Sequence, residues 1–90
     1  MDKHKGLCWF DNDRRRTLAT KVSQAATRFH VKYGLKPTVC YINENDLDDS
    51  AEKVKNVRLI TLPNVLRFHY MVDIPELELG RNNGNGTNIN

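Results

Sequence analysis

Two segments, TVCYIN (38–43) and NVRLITL (56–62), are apolar on both of their faces. Side chains alternate along a strand. The first segment therefore sets Val39 and Tyr41 against Cys40 and Ile42, and the second sets Val57, Leu59 and Thr61 against Arg58, Ile60 and Leu62. Such a pattern belongs to a strand covered on both sides; a strand with one wet face alternates cleanly instead. VLRFHYMV (65–72) comes closer to alternation, with Leu66, Phe68, Tyr70 and Val72 on one face and Val65, Arg67, His69 and Met71 on the other. Pro63-Asn64 between the last two segments suits a tight connection and predicts a hairpin. GLCWF (6–10) reads as a further short strand or an apolar plug.

What covers those strands is limited by the rest of the chain. Leu18, Val22, Ala25, Phe29 and Tyr33 recur at three- and four-residue steps, which predicts an amphipathic helix over 17–33. Thr17 or Asp13 supplies a side-chain oxygen to cap its start. Gly34 takes the left-handed conformation that ends a helix, and Lys36-Pro37 then forces extended backbone. NENDLDDSAEK (43–53) is polar and acidic and reads as a loop with at most a turn of helix. The fold class that follows is α+β, a two-layer sandwich of one helix on a three- or four-stranded, mostly antiparallel sheet. Were GLCWF a strand, the helix would connect it to TVCYIN as a parallel crossover. Residues 1–79 are expected to form the single domain and the Asn/Gly-rich residues 80–90 a disordered tail.

One helix hides one face of a sheet. Something else is then expected on the other: the N-terminal Leu7, Trp9 and Phe10 folded across it, a second copy of the chain, or another protein. The contact residues expected for a homodimer are Trp9, Phe10, Tyr41, Ile60 and Met71.

Charge offers a second functional reading. The net charge is only +3, but Arg14, Arg15, Arg16, Lys21, Arg28, Lys32 and Lys36 fall in one block, and Glu44, Asp46, Asp48, Asp49 and Glu52 in the next. On a helical projection Lys21, Arg28 and Lys32 form a line about 16 Å long, which Arg14–Arg16 extend. Such a stripe either neutralises nucleic-acid phosphates or lays its stems along the apolar border with the charges in water. No helix-turn-helix, zinc-finger or ribonucleoprotein motif accompanies it. Arg58, Arg67 and His69 are a possible small anion site if they share a sheet face.

The sequence contains no catalytic or cofactor-binding motif, and no small-molecule substrate is evident from it. Cys8, Cys40, His30 and His69 all come from different segments, whereas zinc sites draw ligands in close pairs, so no metal is expected. Cys8 with His69 lacks the surroundings that activate a thiol, and Asp11 and Asp13 suit a turn better than an acid pair. No apolar run approaches the ~20 residues of a membrane span, and MDKHKGLCWFDND has no signal-peptide core. The cytoplasm is the expected compartment, and Asn85-Gly86-Thr87 is then a chance match to a glycosylation acceptor. The expected function is non-enzymatic: a protein-interaction module or homodimeric accessory subunit docking through its sheet. The alternative is a nucleic-acid-binding accessory protein using the basic stripe.

Overall fold

The computed structural model describes residues 6–75. The tail expected over 80–90 and the last residues of the 1–79 domain lie outside that range. The elements are β1 (Leu7–Phe10), α1 (Leu18–Tyr33), β2 (Val39–Ile42), two 3-10 turns (Glu44–Asp46 and Asp49–Lys53), β3 (Arg58–Thr61) and β4 (His69–Asp73). Helix α1 packs on one face of a four-stranded mixed sheet in the order β1-β4-β2-β3. The fold is a small α+β sandwich, and GLCWF is its fourth strand. Two of the three pairings are antiparallel, β1 with β4 and β4 with β2, while β2 and β3 are parallel.

Helix α1 forms where its apolar period predicts. Thr17 caps it, its hydroxyl oxygen accepting from the Thr20 amide, and Gly34 ends it at φ 75° with its N–H on the His30 carbonyl. Leu18, Val22, Ala25 and Phe29 enter the core, each 2% exposed or less, against Cys40, Ile42, Tyr70, Val72 and Ile74 from the sheet. Those sheet residues are alternate positions of β2, β4 and its extension, as the pleat requires. Leu7, Trp9 and Leu59 widen the same layer from the two edge strands.

The hairpin expected around Pro63-Asn64 is absent. β3 pairs in parallel with β2, and β4 runs on the other side of β2. Burial explains the choice: β2 is apolar throughout and takes a central place, whereas β3 has exposed Arg58 and Thr61 at its ends and suits an edge. The connection 62–68 must then cross the end of β2, and side chains hold it there. The Asn43 amide donates to the Val65 carbonyl at 2.8 Å, and the Asp46 carboxylate accepts from Arg67 Nε at 2.6 Å and from the Phe68 amide at 2.7 Å. For the same reason β4 begins at His69, later than the alternation of 65–72 suggests. Leu66 is 70% exposed instead of lying under the helix, and Phe68 sits at φ 67°, a left-handed conformation unusual for a bulky residue.

β1 and β2 both run antiparallel to β4 and so are parallel to each other, with α1 between them in sequence. They are not neighbours, because β4 is inserted between them.

Candidate functional site

The face of the sheet turned away from α1 has no described helix or 3-10 turn over it. The strand registers align one residue from every strand across it: Cys8 opposite Met71, Met71 opposite Tyr41, Tyr41 opposite Ile60. This row is the other half of the two-faced pattern of β2 and β3, whose first half is spent on the core. Beside it, Phe10 pairs with His69, their rings 5.1 Å apart and tilted. On its other side Val39 lies between Asp73 and Arg58. Phe10 is 55% and Met71 40% exposed, Cys8 is exposed, and Tyr41 and Ile60 are half-buried. Four of the five expected interface residues, Phe10, Tyr41, Ile60 and Met71, therefore share one surface.

The fifth does not. Trp9 alternates onto the helix side, where it packs against the core with the Arg28 guanidinium 5.4 Å above its ring. The N-terminal segment does not fold across the sheet either, because residues 7–10 are its edge strand.

Of the basic stripe, Arg14, Arg15, Arg28 and Lys32 are exposed, Arg16 is half-buried and Lys21 is buried. Its flank of α1 faces the aromatic rim of the sheet, and long basic stems settle on the rings. Lys21 is 6% exposed, with its ammonium 5.6 Å from the Phe68 ring centroid and 5.8 Å from that of Tyr70. Lys32 lies over Tyr33, Arg15 pairs with Asp13 at 3.1 Å, and Arg16 pairs with Asp11 at 3.1 Å. Arg14 is exposed. Asp11 and Asp13 make the expected turn: Asp11 accepts the Asp13 amide and Asp13 the Arg15 amide, each at 2.9 Å. The Arg15 side chain and amide together hold the Asp13 carboxyl down at about 2.

Arg58, Arg67 and His69 do not converge on an anion site. Arg67 lies in the connection before β4 and is tied to Asp46. Arg58 is level with Asp73 across the sheet, while His69 begins the same strand four residues earlier, a separation of about 13 Å along β4 alone. His69 Nδ1 donates to the Arg67 carbonyl at 2.9 Å. The cysteines lie on opposite faces, since Cys8 aligns with Met71 and Cys40 with Val72. Burial raises the Cys8 thiol, and burial followed by the charge of Cys8 pushes Cys40 up to about 12. Neither is poised as a thiolate nucleophile. Among the described residues no three His, Cys, Asp or Glu side chains are grouped to hold a metal ion, and no helix is long and apolar enough to cross a membrane.

One feature eluded the sequence reading. A cleft of about 240 Å³ opens at the start of α1, bounded by Arg14, Arg16, Lys21, Asp46, Asp48 and Arg67, with Phe68 and Tyr70 as its aromatic wall. The acidic segment 44–52 builds its far side. Asp48 Oδ2 accepts the Leu18 amide at 2.9 Å, Oδ1 accepts from the Ser50 amide and hydroxyl, and Ser50 Oγ accepts the Ala19 amide. Burial pulls the Asp48 carboxyl upward, but the bonds from Ser50 and Leu18 and the charge of Lys21 outweigh it and leave the carboxyl lowered. The signal in the sequence was the run of Asn, Asp and Ser at 43–50, residues whose short side chains bond to backbone. Nothing in it named the distant amides they would cap.

No family model matches this chain, and no curated protein or solved structure shows significant similarity to it.

Proposed function

We propose that the protein works by binding, as a homodimer that closes the open faces of two sheets on each other. The supporting observation is the row Cys8, Met71, Tyr41 and Ile60, which crosses all four strands on the uncovered side. An exposed apolar patch that spans a whole sheet marks an interaction surface.

The charge on that face favours a second copy as occupant. Its strand residues include one cation, Arg58, and one anion, Asp73. Two such faces stack without net repulsion, and an isologous contact needs only that the patch be complementary to itself. A polyanion finds no field there to attract it. Size sets the strength. Four strands about 4.8 Å apart and about 15 Å long offer a flat footprint of roughly 300 Å², below the ~800 Å² per partner of a standard interface. The dimer is accordingly a weak one, with a dissociation constant in the micromolar range or above.

Sedimentation equilibrium of the full chain, from low micromolar to several hundred micromolar, tests this. The apparent mass should climb from 10.4 kDa toward twice that value. Ile60→Glu and Met71→Glu should each raise the dissociation constant by about tenfold or more while the circular dichroism spectrum stays unchanged. A wild-type chain that remains monomeric throughout the range would sink the proposal.

A further inference from the structure

We propose that the cleft at the start of α1 binds the dianionic phosphate of a small phosphomonoester, with Lys21 as its central cation. The carrying observation is the state of Lys21. The residue is 6% exposed, lines the cleft, and its ammonium makes no hydrogen bond or ion pair with any described residue. Its neighbours are the faces of Phe68 and Tyr70, and the Asp48 carboxylate acts on it only through its charge. The Lys21 stem is buried, but its Nζ is not among the fully buried atoms that lack a partner; it faces the water of the cleft, where an anion can pair with it. Ring faces attract it only weakly compared with an anion.

The helix amides themselves are not the site. The Leu18, Ala19 and Thr20 N–H groups are already taken by Asp48, Ser50 and Thr17. Both carboxylates of the cleft are similarly committed, Asp46 to Arg67 and Phe68, Asp48 to Leu18 and Ser50. The cations retain donors. Arg67 spends only Nε on Asp46, and Arg16 meets Asp11 through Nε. Arg14 stands exposed at the rim.

Charge selects an anion, and donor number selects its class. Four cations, Arg14, Arg16, Lys21 and Arg67, line the cleft with two anions, Asp46 and Asp48, which leaves two positive charges; Asp11 behind Arg16 lowers that to one. A phosphomonoester brings three acceptor oxygens, one more than a carboxylate, for the free donors of Lys21, Arg14 and Arg67. At about 240 Å³ the cleft is smaller than the ~300–1,000 Å³ of ordinary ligand pockets. It suits a phosphate with a small organic group against Leu18 and Leu47, which also line it. The cleft lies on the helix side of the sheet, so binding there does not depend on the dimer proposed above.

The test is calorimetric titration of the full chain with inorganic phosphate and with phenyl phosphate, at constant ionic strength and against a chloride control. Amide chemical shifts are followed in parallel. Saturable binding is expected with both probes, with shifts at Ala19, Lys21 and Phe68. Tighter binding of phenyl phosphate assigns the site to an organic ester, and equal affinity assigns it to phosphate itself. Lys21→Met keeps the buried stem and should weaken binding at least tenfold. Arg14→Gln alters only an exposed rim residue, so it should fold as the parent does and weaken binding several-fold. No saturable binding at millimolar phosphate, or affinities unchanged in Lys21→Met or Arg14→Gln, would overturn the assignment.

Discussion

The two faces of the sheet are made from alternate residues of the same four strands, yet they have opposite fates. On the side of α1, Cys40, Ile42, Tyr70 and Val72 are each 1% exposed or less. On the other side Phe10 and Met71 keep 55% and 40% of their surface in contact with solvent, although Val39, between Arg58 and Asp73, is fully buried there. Both have an apolar row across the four strands, and only the open face adds Arg58, His69 and Asp73 beside it. The difference is whether a second layer was available, and the described residues have one long helix to supply it. A pattern that reads as doubly buried strand thus records a requirement for cover, not its source.

The largest expected effect tests this contrast in energy. Phe29→Ala empties the centre of the helix-side layer, where the ring is fully buried against Tyr33 and the sheet. It should cost about 3–5 kcal/mol. A domain of this size has ~4–10 kcal/mol in total at ~0.05–0.15 kcal/mol per residue, so the variant should be near the edge of folding. Met71→Ala on the open face should cost the dilute monomer no more than about 0.5–1 kcal/mol. Urea denaturation at low micromolar concentration measures both. Comparable losses would mean that the open face is covered in the monomer, and the contrast would fail.

Most of the architecture was legible because it is local. The period of α1, its Thr17 and Gly34 caps and the positions of β2 and β3 follow from neighbours in sequence. Strand order was not, because it turns on side chains that bond far along the chain: Asn43 to Val65, and Asp46 to Arg67 and Phe68. These place β4 beside β2 and break the hairpin that Pro63-Asn64 suggested. Tyr41, Ile60 and Met71 of the open-face row were legible from alternation, whereas the exchange of Trp9 for Cys8 depended on the register of β1. The surroundings of the basic stripe were only partly legible for a related reason. A projection gives the angle of Lys21 on the helix, but the aromatic rings that bury it come from the connection before β4 and from β4 itself. The same two rings turned a solvated flank into a cleft.

The cysteines sharpen the comparison chemically, with a smaller effect. Cys8 belongs to the open face and Cys40 to the covered one. At about pH 8 an ordinary thiol is partly ionised and reactive. Cys40, pushed up to about 12 by burial and by Cys8, should stay unmodified by iodoacetamide until the protein unfolds. Cys8 is also raised, but it is exposed and should react first. Peptide mapping after short labelling times gives both rates. A Cys8 rate that falls as protein concentration rises would support the sheet-to-sheet dimer, because the row it belongs to would then be closed. Equal rates at the two cysteines would refute the assignment of faces.

The smallest effect concerns charge outside both layers. Asp13 lies in the turn before α1, with its carboxyl held at about 2 by Arg15, compared with an ordinary value of 3.8. A carboxyl whose value is lowered by folding stabilises the folded chain above its unfolded value, and that contribution disappears as pH falls through the folded one. The window is therefore from near pH 3.8 down to about 2. The pair is open to water, so its effect on stability is small and screened by salt, and the titration itself is the better readout. Carboxyl carbon shifts should place the Asp13 midpoint near 2 in the parent chain and return it toward the ordinary range in Arg15→Gln. Asp48, lowered chiefly by hydrogen bonds from Ser50 and Leu18, should scarcely respond to that substitution. An Asp13 midpoint near 4 in the parent would mean that Arg15 leaves the turn in solution, and the N-terminal end of α1 would then carry one more free cation beside the cleft.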